Sequence, residues 1–281
     1  MREIACEQIT STVAQLCVEA ACDLPADVEC ALLDAREREE SEYGHYALEK
    51  ICDNITIARE SGVPICQDTG LAVVFADIGQ DARIVGGSFE AAVNEGIARG
   101  YERGYLRMSM VADPLLARVN TGDNTPAVIH TRIVDGDALT LTLMPKGGGS
   151  ENMSRLAMLA PAAGTEGVRR FVVGSVVSAG GNPCPPTIVG VGIGGNAEAA
   201  LALSKRALLR DVGTPHPDAG YAALEAELLS EINRSGIGPQ GFGGRVTALA
   251  VHIETAPTHI ATLPVGVTLG CHVSRHKSAT L

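Results

Sequence analysis

The sequence predicts an α/β fold, with mixed α+β as its near variant, in which a helical N-terminus leads into mixed sheets flanked by helices. Three observations carry this. Residues 3–61 place apolar side chains at helical spacing. Short apolar runs of strand length recur from residue 71 onward. Those runs are followed in some places by a hairpin signal and in others by a helix. The 281 residues give core-forming capacity for one large domain, and neither a disordered linker nor an internal repeat divides them. A single domain over 1–281 is expected, with 1–62 as its helical region.

Ile4, Ile9, Val13, Leu16 and Ala20 define a first helix over 3–22. A second, over 26–40, ends in the charged run from Asp34 to Glu42, which reads as a solvated face. A third, over 45–61, is stopped by Ser61-Gly62-Val63-Pro64. A strand is expected at 71–78 and a helix over 88–103, with Ser88 as its N-cap. The polar stretch 105–126, punctuated by Gly and Pro, is longer than a connection needs. Residues 127–134 and 138–144 alternate apolar and polar around Asp135-Gly136, a hairpin signal. Three glycines then lead from Lys146 to a helix expected near Asn152. Such a helix start is an anion site, and a flexible turn is the plain alternative. Helices at 165–179 and 218–234, an Ala/Leu helix ending at Arg210, and strands at 187–193, 245–254 and 260–268 complete the chain.

Gly190, Gly192 and Gly195 match GxGxxG, and Asp211 follows about twenty residues on. A dinucleotide fingerprint needs that acid at the end of a second parallel strand. Here it directly follows a helix and precedes another, so the motif reads as a decoy.

Hydrophobic residues make up 46% of the chain and charged residues 20%, the balance of a soluble globular protein. Aromatic residues are only 3%, so Val, Ile, Leu and Ala must build the core. No apolar run has the length of a membrane span and the N-terminus has no hydrophobic signal region, so no membrane association and a cytoplasmic location are expected. A net charge of −11 argues against a nucleic-acid surface, which needs a basic stripe. It leaves room for a small anion held by local arginines.

Eight cysteines in a chain of cytosolic character are not expected to form disulfides. There is no CxxC or CxxH pair, so zinc-ribbon and thioredoxin readings lack support. Cys6, Cys17, Cys22, Cys30 and Cys52 lie in helical sequence, where Cys serves as a small buried hydrophobe. Cys66, Cys184 and Cys271 lie in Gly/Pro-rich loops, poor places to bury an inert thiol. More than eighty residues separate each from the next, which rules out a local finger and suits a cofactor held where loops meet. Three thiolates leave one iron of a [4Fe-4S] cluster without a protein thiolate, open to act as a Lewis acid. The chemistry that follows is addition or removal of water.

The segments PICQDTG (64–70), GYLRMSMVADPL (104–115), NTGDNTPA (120–127), MPKGGGSEN (144–152), GGNPCPPTIVGVGIGG (180–195) and APTHIATLPVGVTLGCH (256–272) span nearly the whole chain. In them the sequence resembles the alpha-type catalytic unit of the class I (iron–sulfur) fumarase and L-tartrate dehydratase family. The resemblance implies that Cys66, Cys184 and Cys271 hold a [4Fe-4S] cluster. It implies that Gln67 and Asp68 lie beside the open iron and that Arg107 faces a substrate carboxylate. Gly149, or its neighbour Gly148, would offer a backbone N–H to the same ligand, and His259 would reach the substrate, with Asp68 and His259 as catalytic groups. The plain alternatives are a loop-capping role for Asp68, a surface ion pair for Arg107 and a packed turn for His259. Glu151 and Asn152 have the right neighbourhood and no specified role.

Single-chain members of the family continue into a beta-type domain that carries further substrate-binding arginines and the proposed catalytic threonine and lysine. Only His272 to Leu281 follow Cys271 here. The resemblance is therefore to the alpha subunit of the split form. A separate beta subunit is the expected partner, in a heterotetramer of two alpha and two beta chains, with the catalytic base on the beta chain. The expected reaction is reversible hydration of fumarate to L-malate. Dehydration of L(+)-tartrate to oxaloacetate is the alternative, and hydration of mesaconate a further one. Two rivals of other classes are a non-catalytic iron–sulfur scaffold and a dehydrogenase built on Gly190 to Gly195.

Overall fold

The computed structural model describes residues 2–281, which are mixed α/β as expected. The chain divides into two compact units. The first takes the N-terminal segment up to Pro25, then Asn54–Gly148 and Arg275–Leu281; the second takes Ala26–Asp53 and Gly149–Ser274.

The first unit is built on a four-stranded sheet with strand β2 (Leu71–Gly79) inside it. On one side β2 pairs parallel with β4 (Val128–Val134), and on the other antiparallel with β5 (Leu139–Lys146). A strand absent from the sequence reading, β10 (Lys277–Thr280), adds to β5. Alternate residues Ala72, Val74 and Ala76 of β2 and Leu139, Leu141 and Leu143 of β5 enter one core cluster. Helices α1 (Cys6–Cys22) and α4 (Phe89–Arg103) supply its other half. They pack closely because α4 carries Gly96 and Gly100. A Cβ on either would lie 2.7 Å from a Cβ of α1, at Val13 or Cys17. Ser88 caps α4, accepting from Ala91 N. Helix α1 starts at Cys6 and not at residue 3, because β1 (Arg2–Ala5) pairs parallel with the short β3 (Ala82–Val85).

The pair around Asp135-Gly136 is not a paired hairpin. β4 and β5 lie on opposite sides of β2, and their turn closes over its end. Gly79 N donates to Ala138 O and Gln80 N to Val134 O, both at 2.8 Å. A largely buried central strand thus occupies the place where a hairpin partner would pair.

The second unit repeats this plan. Strand β7 (Thr187–Gly195) pairs parallel with β8 (Ala248–Thr258) and antiparallel with β9 (Leu263–Gly270), and β6 (Arg155–Leu159) adds to β9. The order is β6-β9-β7-β8 against β10-β5-β2-β4. This likeness is invisible as a sequence repeat. Helices α6 (Gly164–Ala179) and α8 (Ala219–Asn233) cover the face bearing Val189, Val191 and Ile193. Helix α7 (Ala197–Ala207) packs against the strand opposite, where Gly190 and Gly192 lie. A Cβ on Gly190 would stand 2.0 Å from Ser204 O, and one on Gly192 2.0 Å from Ala200 O. The GxGxxG run is therefore a bed for a helix.

Two expectations need correction here. The helix foreseen near Asn152 is a single turn, α5 (Gly148–Glu151), and the next residues turn into β6 because they pair with β9. The charged run ending α2 (Ala26–Arg38) is not all solvated, since Glu39 is 7% exposed. The last N-terminal helix, α3 (Glu42–Ser61), falls close to its expected span.

Candidate functional site

The PICQDTG loop leads into β2, and its conformation is fixed from several sides within the first unit. Ile65 N donates to Ala21 O at 2.9 Å, and Asn54 Nδ2 donates to Ile65 O at 2.8 Å. Asp68 accepts from Gly70 N through Oδ1 (2.9 Å) and from Gly148 N through Oδ2 (2.8 Å). Both carboxylate oxygens are thus oriented by backbone donors, and Asp68 does more than cap its own loop. Gly70 has φ 77°, and a Cβ there would meet Lys146 N at 2.7 Å, so glycine is required. The loop is also tied to the stretch that carries Arg107. Thr69 Oγ1 donates to Arg107 O at 2.9 Å. The fully buried Asn124 accepts from Ser109 N at 2.7 Å and donates to Gly70 O at 3.2 Å. The Tyr101 hydroxyl lies 2.9 Å from both Thr69 O and Gly70 O. Arg275 Nη2 donates to Asp68 O at 2.8 Å.

This frame leaves Cys66 and Asp68 half-buried, and Gln67 and Arg107 exposed. Among the described residues the Arg107 guanidinium has no ion pair and no hydrogen bond, so it is not a surface salt bridge. The glycine run does not offer all its amides to a ligand, because Gly148 N is committed to Asp68. Both Gly148 and Gly149 are exposed.

In the second unit Cys184 and Cys271 come together. Ile188 and Gly270 are register partners, so Cys184 just before β7 and Cys271 just after β9 lie at one end of the sheet. His272 N donates to Cys184 O at 3.1 Å. Gln240 braces the pair: its N and Nε2 each donate to Pro185 O at 2.8 Å, and Nε2 stands 3.1 Å from His272 Nδ1. Cys184 is held at φ 55° and is exposed, while Cys271 is half-buried. Glu151 pairs with Lys205 at 2.5 Å, the contact that the sequence could not specify.

His259 lies elsewhere. It sits in the exposed turn between β8 and β9, its Nδ1 accepting from Ala261 N at 3.1 Å. Because β8 runs parallel to β7, that turn is at the opposite end of the sheet from Cys184 and Cys271. Nine residues of β7 separate the two ends, roughly 26 Å at strand rise.

Among the described residues no disulfide forms, and no three His, Cys, Asp or Glu side chains are grouped to hold a single metal ion. The ligands of a cubane cluster bind different irons, so their thiols need not converge on one point. The donor chemistry of the three loop thiols fits such a group. All three are half-buried or exposed on braced loops, whereas burial pushes the Cys17 thiol up to about 12 and makes it an inert core residue. Of the other helical cysteines, Cys6, Cys22 and Cys52 are half-buried and Cys30 is exposed, so only Cys17 meets the expectation of a buried hydrophobe. Sequence reading missed Tyr101, Asn124, Gln240 and Arg275, since each acts through a tertiary contact with a site loop.

Comparison with known proteins gives consistent results. The profile of the family described as Fumarate hydratase (Fumerase) matches residues 10–280. A relative from Methanocaldococcus jannaschii, provisionally named L(+)-tartrate dehydratase subunit alpha, is 43% identical over 276 residues, 95% of each chain. The L(+)-tartrate dehydratase subunit alpha of Escherichia coli (strain K12) is 34% identical over 284 residues, covering 100% of this chain and 92% of that one. The protein of that name from Shigella sonnei matches to the same extent.

Proposed function

Since the chain belongs to the fumarate hydratase (Fumerase) family, a family of hydro-lyases, we propose that it is the alpha subunit of an iron–sulfur hydro-lyase acting on a small dicarboxylate. The match over residues 10–280 carries this reading. Reversible hydration of fumarate to L-malate is the reaction proposed. Dehydration of L(+)-tartrate to oxaloacetate is the second reading, favoured by the names of the relatives. Residues 1–281 serve as one catalytic domain, and a separate beta subunit completes the site in a two-alpha, two-beta assembly. The word alpha in the relatives' names supports the partner. A reducing, cytoplasmic setting is part of the proposal. No helix among the described residues is long and apolar enough to cross a membrane.

Cys66, Cys184 and Cys271 are the proposed ligands of a [4Fe-4S] cluster. When bound, the cluster supplies an iron without a protein thiolate, a Lewis acid for a substrate oxygen. The chain's own groups then bind and orient. Arg107 holds a carboxylate in its planar fork, Gly149 N–H and Gln67 take further substrate oxygens, and Asp68 accepts a proton or hydrogen bond from the substrate hydroxyl or water. The two backbone bonds on Asp68 preset its direction, so no ordering cost falls on the reaction step. Proton transfer at the neighbouring carbon falls to the beta subunit. His259 lies too far from Cys184 and Cys271 to serve the site of its own chain, so its proposed role is at the site of a second alpha chain.

The test is anaerobic co-expression with a beta-type partner, quantification of iron and sulfide, and assays with fumarate, L(+)-tartrate and mesaconate. Iron-dependent hydration that is lost in air supports the reading. Activity without iron overturns it, and a bound cluster with no turnover of any dicarboxylate favours the scaffold alternative. Full turnover by the alpha chain alone overturns the split site.

A further inference from the structure

Arg275 is a buried cation of the first unit. Only 3% of it is exposed, its Nη2 donates to Asp68 O, and its Nε is buried without a hydrogen-bond partner. Among the described residues no carboxylate forms an ion pair with it. Taking a guanidinium out of water is costly unless its donors and its charge are both answered. Its polar neighbours do not answer the charge. Burial pushes both the Tyr101 hydroxyl and the Cys22 thiol upward, so both stay neutral near pH 7. The Asp68 carboxylate turns its oxygens to Gly70 and Gly148 instead. A clamp on one carbonyl needs no charge at all, since a neutral amide would make the same bond. The charge therefore calls for a purpose of its own, and it lies under the loop that carries Cys66.

We propose that Arg275 is a positioning residue of the iron–sulfur site. It fixes the Cys66–Gly70 loop through the Asp68 carbonyl and supplies the fixed positive charge against which a thiolate-bound cluster, itself a net anion, is held. The inference rests on the iron–sulfur reading above. It assigns a task to the last seven residues of the chain, which return to the first unit and pair through β10 with β5.

The test compares Arg275→Gln and Arg275→Lys with the wild type, each co-expressed anaerobically with the beta-type partner. The readouts are the midpoint potential of the cluster, followed by EPR, and the rate of iron loss to a chelator. Arg275→Gln keeps a donor for the carbonyl and removes the charge. The reduced cluster carries one more negative charge, so the potential is expected to move to more negative values and iron to leave several-fold faster. Arg275→Lys is expected to restore both towards wild type. A wild-type potential and rate in Arg275→Gln overturn the inference, as does an Arg275→Lys protein as defective as Arg275→Gln. Should Arg275→Gln fail to fold, Arg275→Lys decides alone: wild-type potential supports the inference and a negative shift overturns it. A wild-type complex with no iron and sulfide removes the iron–sulfur reading and the inference together, whereas a wild-type cluster indifferent to Arg275 removes the inference alone.

Discussion

Replacing Glu39 by Gln tests whether a buried carboxylate holds the loop behind the Cys184–Cys271 pair. Glu39 Oε1 accepts from Glu40 N (3.0 Å) and Ser41 N (2.9 Å), and Oε2 accepts from Arg245 N and Val246 N, both at 2.9 Å. The side chain fits a notch lined by Gly44 and Gly244, where a Cβ would come within 2.9 Å and 2.6 Å of it. Burial raises the affinity of Glu39 for a proton, but the four backbone donors outweigh that and hold its pKa below the usual carboxylate value. Gln keeps one acceptor oxygen and turns an NH2 towards the other pair of donors. The N–H groups facing that NH2 then lose their acceptor, at about 1–3 kcal/mol for a buried donor such as Val246 N and less for the half-buried ones. Because the folded pKa is depressed, the carboxylate's contribution is full above the unfolded pKa of about 4.3 and is lost as pH falls through the folded value. Urea unfolding followed from pH 7 to pH 3 should show a large gap between wild type and Glu39→Gln at neutral pH that narrows in acid. A gap below ~1 kcal/mol at pH 7, or one that widens in acid, would refute the reasoning.

Other consequences can be checked separately. Gly192→Ala would place a Cβ 2.0 Å from Ala200 O. It should lower stability by ~3 kcal/mol or more in urea titration, the upper end for overpacking. Saturating NAD should leave the melting temperature of the wild type unmoved, and a clear stabilisation would revive the dinucleotide reading. Cys66→Ser, Cys184→Ser and Cys271→Ser should each lose the cluster iron by chemical analysis, while Cys17→Ser should keep it at some cost in stability. Alkylation of the folded apoprotein should reach Cys184 and spare Cys17, whose buried thiol stays protonated up to about pH 12. His259→Ala, a change in an exposed turn, should alter stability by no more than about 0.5 kcal/mol yet lower turnover. Mixed assemblies of His259→Ala and Cys184→Ser chains should regain part of the activity if His259 serves a second chain's site, and no regain would confine it to its own.

Local patterns made much of the fold legible. The three N-terminal helices, the Ser88 cap, the apolar strands at 71 and 187 and the helices that follow them come from spacing and capping that act within a few residues. The strands missed, β1, β3, β6 and β10, are four or five residues each and find partners only through long-range pairing. The hairpin signal at Asp135-Gly136 correctly marked a turn and wrongly implied its pairing. A turn's chemistry fixes where the chain reverses, while the choice of neighbour depends on which strand is buried between the two arms. The decoy at Gly190 failed as a cofactor motif for a related reason, since glycines on a strand serve a close helix as readily as a pyrophosphate.

By itself the sequence determined the family and singled out Cys66, Cys184, Cys271 and Asp68 as loop residues, because these are carried by residue identity in short, distinctive segments. Tertiary structure alone decided what steers them. It gave Asp68 two backbone donors, took Gly148 N–H out of service, and set Gln240 behind Cys184 and Cys271. It also placed Glu39 and Arg275 inside when their charge predicts the surface, and put His259 at the far end of its sheet. The physical reason is that burial and register are sums over distant contacts. A charged residue's fate depends on whether distant backbone donors or a carbonyl meet it, and nothing in its own neighbourhood records that.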